Sequence, residues 1–189
     1  LEAIPTDPNI STAQLYNYNL LGDPAMEVIN AELTSLQGSS SQTIFEPGED
    51  AEFSFEVSNL SKFTSSANSQ LSFTLPRDFE YLGTLIDYTG PNNGGFDFPS
   101  SPGQEPNQLD QVTNSSGETV ITISLKKLFE ENNLTFGGIP AEGSVQIKIY
   151  GRIKERPSKS FWTLPYSFTS PGGISQTGAL SIEIGRAHV

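Results

Sequence analysis

The sequence predicts an all-β protein: an antiparallel β-sandwich of about eight or nine strands behind a short helical or linker segment. Three observations point there. Apolar and polar residues alternate in several runs, most cleanly at Phe53, Phe55 and Val57, with Glu52, Ser54, Glu56 and Ser58 in the other phase. A period of two places one side of an extended chain in a core and the other in water. These runs are bounded by turn formers such as Pro47-Gly48 and stopped by prolines such as Pro76. Finally, 12 Phe, 17 Gly and 13 Pro with only 17% charged residues suit a loop-rich β protein better than a helical or disordered one.

Size and charge bound the function. A chain of 189 residues can bury one core plus a short flanking piece, and two full domains would be tight. Each buried Phe contributes about 1.5–3 kcal/mol, so a Phe-based core holds without staples. The net charge of −12, with 10 Lys and Arg in all, argues against nucleic acid and against anionic membrane surfaces, because neutralising phosphates needs clustered cations. Zero Cys removes disulfides, thiolate metal sites and a cysteine nucleophile from these residues. No apolar run approaches the roughly 20 residues of a spanning helix, so no membrane insertion is expected. With no leader and no initiator Met, the chain reads as an internal fragment.

In chain order, Leu1 to Asn9 is Pro-interrupted, and Ser11-Thr12-Ala13-Gln14 has the form of a capping box for a short helix from about Thr12 to Tyr18. At Gly22-Asp23-Pro24 the glycine frees the backbone and the proline forces Asp23 to be extended. Leu20-Leu21 therefore close one body, and Met26-Glu27-Val28 open the next. The expected division is 1–25, 26–184 and a tail at 185–189. Val28, Ala31, Leu33 and Leu36 suit an opening strand, with Ser39-Ser40-Ser41 as a turn. Phe53–Val57 and Leu71–Leu75 then read as two strands of a sandwich or a hairpin, joined by a polar connection from Asn59 to Asn68. Further strands are expected at Phe79–Tyr88, Glu118–Leu125, Val145–Lys154, Phe161–Thr169 and Gly178–Ile184. Lys126–Asn132 is the one helical turn of the second half, placed to cross between sheets.

Thr89 to Gly117 stands apart. Its roughly 29 residues exceed the length at which structureless loops become uncommon, and long loops on rigid sandwiches carry binding surfaces. One reading has Phe96, Asp97, Phe98, Glu105 and Asp110 touching a ligand (glycan or protein), a partner domain or Ca²⁺. The favoured reading is an insertion, or Phe96 and Phe98 folding back on the sheet; no calcium-loop spacing is present, and no cofactor is expected. Glu46, Glu49, Asp50 and Glu52 form an acidic patch that reads as solvated surface. Asp78 and Glu80 are too close in sequence to act as a glycosidase pair. Trp162, beside Phe161 and Tyr166, is either a sugar-stacking platform or, as favoured, a core residue. Asn9, Asn59, Asn114 and Asn133 each head a glycosylation pattern. None of these residues forms a catalytic constellation.

Two resemblances add to this. The run Asn19-Leu20-Leu21-Gly22-Asp23-Pro24-Ala25-Met26 resembles the segment that closes the catalytic domain of gingipain-type cysteine peptidases and leads into an immunoglobulin-like domain. It covers only Tyr16 to Val28. The resemblance implies that residues 1–25 are the remnant of a peptidase-like domain, with Leu20, Leu21, Gly22, Asp23 and Pro24 as the junction motif. The partner would be the upstream catalytic domain of the same chain; that family's catalytic Cys and His lie upstream, so no catalytic residue carries over here. Phe45-Glu46-Pro47-Gly48, Asn59 and Leu75-Pro76 resemble the repeat domains of bacterial surface proteins, which are immunoglobulin-like sandwiches used as spacers. Together they imply a non-catalytic accessory, spacer or adhesion domain, extracellular or at a bacterial cell surface. A carbohydrate-binding module is the further alternative. Ile184 to Val189 resembles a translated sequencing adapter, so His188, the only His, is given no role.

Overall fold

The computed structural model describes residues 34–66, 68–89, 94–99, 109–131, 138–171 and 175–185. The chain divides into two compact units, Leu1–Ala31 and Glu32–Val189, and all described residues belong to the second. The expected helix at Thr12–Tyr18, the junction Leu20–Pro24 and His188 lie outside the described residues.

The alternation at Phe53 becomes a ten-residue strand, Asp50–Asn59, in which Ala51, Phe53, Phe55, Val57 and Asn59 are buried. It is the third strand, β3. Before it come β1 (Thr34–Ser40) and β2 (Ile44–Phe45), and after it β4 (Gln70–Leu75), β5 (Phe79–Thr89), β6 (Gly94–Pro99), β7 (Leu109–Thr113) and β8 (Thr119–Ser124). A helix of about two turns, α1 (Leu125–Glu131), precedes β9 (Ser144–Ile153), β10 (Phe161–Thr169) and β11 (Gln176–Ile184). The strands form a five-stranded sheet in the order β1-β3-β9-β5-β6 and a six-stranded sheet in the order β2-β11-β10-β4-β8-β7. This is the immunoglobulin-like antiparallel sandwich the sequence predicts.

The core lies between the two sheets. Phe53, Phe55 and Val57 stand in register with Ile149, Ile147 and Val145 of β9. Facing them from the six-stranded sheet are Leu71, Phe73 and Leu75, Ile121 and Ile123, and Leu164 and Phe168, all with no exposure. Aromatic rings join the two sheets, Phe55 lying 4.5 Å from Phe73 and 5.0 Å from Tyr166 and Phe53 6.2 Å from Phe45, while within the five-stranded sheet Phe53 lies 5.2 Å from Phe79. β3 and β4 are therefore opposed across the core and do not form a hairpin. Leu125 and Leu128 of α1 are buried, and the helix carries the chain from β8 in one sheet to β9 in the other, as expected.

Two expectations change. β1 runs through Ser39 and Ser40, which pair with Ser54 and Phe53, so the turn begins only at Ser41. The serines and Gly38 carry no apolar signal because β1 is an edge strand whose inner side is already filled: a Cβ at Gly38 would lie 2.8 Å from the Tyr166 ring. The long segment 89–117 also contains strands. β6 pairs with β5, setting Phe96 opposite Ile86 and Phe98 opposite Thr84, and β7 pairs with β8 through Leu109↔Ile123 to Thr113↔Thr119. Each is short, lies at a sheet edge and is flanked by Gly, Pro and Asn, so its alternation is drowned in loop composition. Together with the two-residue β2, these edges bring the described strands to eleven.

The first and last strands run the same way. At one end Gln176 donates its amide to the carbonyl and hydroxyl of Thr34, the latter at 2.8 Å. At the other, β2 pairs in parallel with the end of β11, with Glu183 N–H donating to Thr43 O at 2.9 Å and Gly185 N–H to Phe45 O at 2.8 Å. The sandwich thus begins at an upstream pole near Thr34 and ends at a downstream pole near Ile184.

Candidate functional site

At the upstream pole the organising residue is Asn59, the last residue of β3 and 1% exposed. Its side-chain amide shares two hydrogens among the carbonyls of Phe63, Ile139 and Pro140, at 2.7, 2.9 and 3.0 Å. Its side-chain oxygen accepts from the N–H and hydroxyl of Ser61 at 3.0 and 2.7 Å. One side chain therefore ties the β3–β4 connection to the segment leading into β9. Ser65 adds a second tie, donating its N–H to Ile139 O and accepting from Ile139 N–H, both at 2.8 Å. Held from inside, the loop presents Leu60 and Phe63 outward, 63% and 58% exposed. The glycosylation pattern at Asn59 is thereby accounted for structurally: its amide is buried and fully bonded.

At the downstream pole the six-stranded sheet is notched. β4 stops at Leu75 because Pro76 has no N–H to continue the ladder. On one side β8 is flush with it, Thr119 pairing with Leu75, while on the other β10 runs on: its Phe161 to Pro165 pair with β11 and are joined by β4 only from Tyr166 onward. The resulting depression holds about 820 Å³, with Pro76, Arg77 and Asp78 as its floor, Ser116 and Glu118 on one wall and Ser158, Lys159 and Phe161 to Thr163 on the other.

Each wall is fixed by hydrogen bonds. Asp78 accepts from the N–H and hydroxyl of Ser158 at 2.8 and 2.5 Å. Burial pushes its carboxyl up, but the Ser158 hydroxyl and N–H and the charges of Arg77 and Lys154 outweigh this and hold it below the usual aspartate value. On the opposite wall Asn114 accepts from the N–H groups of Ser116 and Glu118 at 2.9 and 3.0 Å and donates to one Glu118 oxygen at 2.9 Å. Gly117 closes that turn at φ 77°, a conformation that costs glycine little. Phe161 stands 56% exposed on the rim, and Lys159 has no ion-pair partner among the described residues.

The sequence-predicted residues are placed as follows. Trp162 is 3% exposed and belongs to the core cluster, as favoured; the aromatic open to solvent is its neighbour Phe161. The acidic patch is dispersed among separate partners. Glu49 accepts from Glu46 N–H at 2.8 Å and from the Gln42 amide at 2.7 Å, Asp50 meets Arg152 at 2.7 Å and Glu52 meets Lys148 at 3.8 Å. The Glu46 N–H and Gln42 hold the Glu49 carboxyl below its usual value, and the Arg152 guanidinium does the same for Asp50. Asp78 is buried and Glu80 exposed, so they do not converge. Of the loop residues, Asp110 lies on β7, Phe96, Asp97 and Phe98 lie on β6, and Glu105 is outside the described residues. Among the described residues no three His, Asp or Glu gather as a metal site, and no helix is long and apolar enough to cross a membrane.

A scan against protein-family models finds no match, and a search of curated proteins finds none. Solved structures resemble the fold. The collagen-binding domain of a Staphylococcus aureus adhesin is 11% identical, with 80% of this chain and 97% of that one covered and a TM-score of 0.46. The N-terminal domain of the Streptococcus gordonii adhesin Sgo0707 is 7% identical, with 80% and 32% covered and a TM-score of 0.47; this chain thus spans about a third of that one. AvmM, which catalyses macrocyclization in alchivemycin A biosynthesis, is 13% identical, with 82% and 92% covered and a TM-score of 0.44. Adhesins and an enzyme appear side by side, and likeness at this level assigns neither activity.

Proposed function

We propose that this sandwich is a non-catalytic domain of a bacterial surface protein that holds its neighbours apart along the chain. The observation that supports this most is the antipodal placement of its two ends, with Thr34 bonded to Gln176 at one pole and Phe45 bonded to Gly185 at the other. Strands rise about 3.3 Å per residue, so the nine residues of β11 separate the poles by about 30 Å. The surface-repeat signature fits the same reading. Pro47-Gly48 forms the turn at the downstream pole, Asn59 the anchor at the upstream pole, and Leu75-Pro76 the stop of β4. An antibody raised against residues 32–185 should label intact cells of the source organism. Labelling only after lysis would overturn the surface assignment.

A second, narrower reading rests on Leu20-Leu21-Gly22-Asp23-Pro24: the sandwich is the accessory domain behind a gingipain-type peptidase, supporting or presenting that enzyme. Sequencing the coding DNA upstream of Leu1 tests it. An α/β domain carrying a Cys and a His is the expected result; further sandwich repeats would reject the peptidase and leave the spacer.

A further inference from the structure

We infer that the downstream notch is a binding site for a uronic-acid-bearing polysaccharide, with the Phe161 ring as stacking platform and Lys159 and Arg77 as carboxylate partners. This goes beyond the spacer reading and stands on separate observations. The first is shape. A depression of about 820 Å³ falls within the 300–1,000 Å³ usual for ligand sites, and it exists because Pro76 ends β4 while β10 continues beside it.

The second observation is chemistry. A sugar ring offers an apolar face and a rim of hydroxyls, and the notch supplies a partner for each. Phe161 is a large apolar side chain left 56% exposed in a fold whose other core-sized aromatics of β10 are inward. Thr163 and Ser116 bring hydroxyls, and Glu118 has one carboxylate oxygen tied to Asn114, which leaves the other to accept from ring hydroxyls. The tie matters, since an acceptor already held in place loses little freedom on binding.

The third observation is charge. In a chain of net charge −12, the notch is lined by two cations, Arg77 and Lys159, and two carboxylates, Asp78 and Glu118. Arg77 is 59% exposed and touches Asp78 through its Nε at 3.7 Å, leaving the outer guanidinium nitrogens for a ligand carboxylate. Asp78 is engaged by Ser158 and by Arg77 Nε and Glu118 is held by Asn114, so Lys159 and the outer nitrogens of Arg77 are the charges left to meet a ligand carboxylate. A strand of acidic peptide would use the cations but not the platform.

The test is calorimetric titration of the full chain with galacturonate oligomers, with neutral galactose oligomers and poly-glutamate as controls. Saturable binding of the galacturonate oligomers is expected, with the neutral oligomers weaker. F161A should weaken binding at least about fivefold at an unchanged urea midpoint, and F161W, which keeps a ring at the rim, should retain it. K159A should narrow the preference for charged over neutral oligomers. No binding, equal binding of neutral oligomers, an F161A variant that binds like the parent, or equal competition by poly-glutamate would each overturn the assignment.

Discussion

Replacing Asn59 by alanine removes the bonds of one buried side chain, two amide hydrogens shared among three carbonyls and an oxygen that accepts twice from Ser61. The cost follows from what each partner keeps. Ile139 O still accepts from Ser65 N–H, Pro140 O from Gly143 N–H and Phe63 O from the Ser61 hydroxyl, so no carbonyl is orphaned. The loss is then the net value of the bonds themselves, about 1 kcal/mol for each of the two amide hydrogens and about 1 kcal/mol for the bonds from half-buried Ser61, or about 3 kcal/mol in all. For a domain of this size that corresponds to a fall in melting temperature of about 6–12 °C. Urea unfolding should show a lower midpoint at an unchanged slope. Asn59→Asp sharpens the test, because it keeps the acceptor but aims a carboxylate at three carbonyl oxygens. That charge is disfavoured in the folded state, so its folded pKa lies above the unfolded value. N59D should be less stable than N59A at neutral pH and should recover as pH falls. A loss below about 1 kcal/mol for N59A, or an N59D variant as stable as the parent, would refute the view that this residue fastens the upstream pole.

Other outcomes follow from the same geometry. Phe55→Ala empties a site 2% exposed between Phe73 and Tyr166 and should cost about 4 kcal/mol by urea unfolding. Asp78→Ala frees Ser158 from two hydrogen bonds and should cost about 2 kcal/mol at pH 7. Because the folded Asp78 carboxyl is depressed, its contribution is fully present above the unfolded value of about 3.9 and is lost as pH falls through the folded value. The gap between parent and D78A should therefore close below about pH 4 in parallel denaturation series. Val112→Lys, at 63% exposure on the outer side of β7, should leave the urea midpoint within about 0.5 kcal/mol of the parent.

How much of this could be read in advance depended on whether a residue acts through periodicity or through its partners. Phe53, Phe55 and Val57, like Leu71, Phe73 and Leu75, declare their strands because a period of two with large apolar side chains has one explanation. Their pairing was less legible: two adjacent alternating runs read equally as a hairpin or as facing strands, and only the buried Asn59 anchor sends the chain across to the other sheet. β6 and β7 were hidden because an edge strand needs one neighbour and little burial, so Phe96, Phe98 and Leu109 stand alone amid turn formers. The notch was invisible for a different reason. Pro76 was recognised as a stop, but its consequence, a gap between β10 and the Asn114–Glu118 turn, depends on strand order that no local pattern encodes. The exposed aromatic beside Trp162 follows from alternation alone: if Trp162 points inward, Phe161 points outward.

A spacer whose first strand starts at one pole and whose last strand ends at the other is loaded along its strands when its neighbours are pulled apart. Single-molecule pulling tests it, and because the chain has no Cys, pairs of introduced cysteines give unique handles. Pulling between S35C and E183C loads β1 and β11 in shear, so the bonds of each strand resist together. Pulling between S35C and T177C, both at the upstream pole, peels the same strands one pair at a time. A markedly higher unfolding force across the poles than at the single pole is the predicted result. Equal forces in the two geometries would contradict the account.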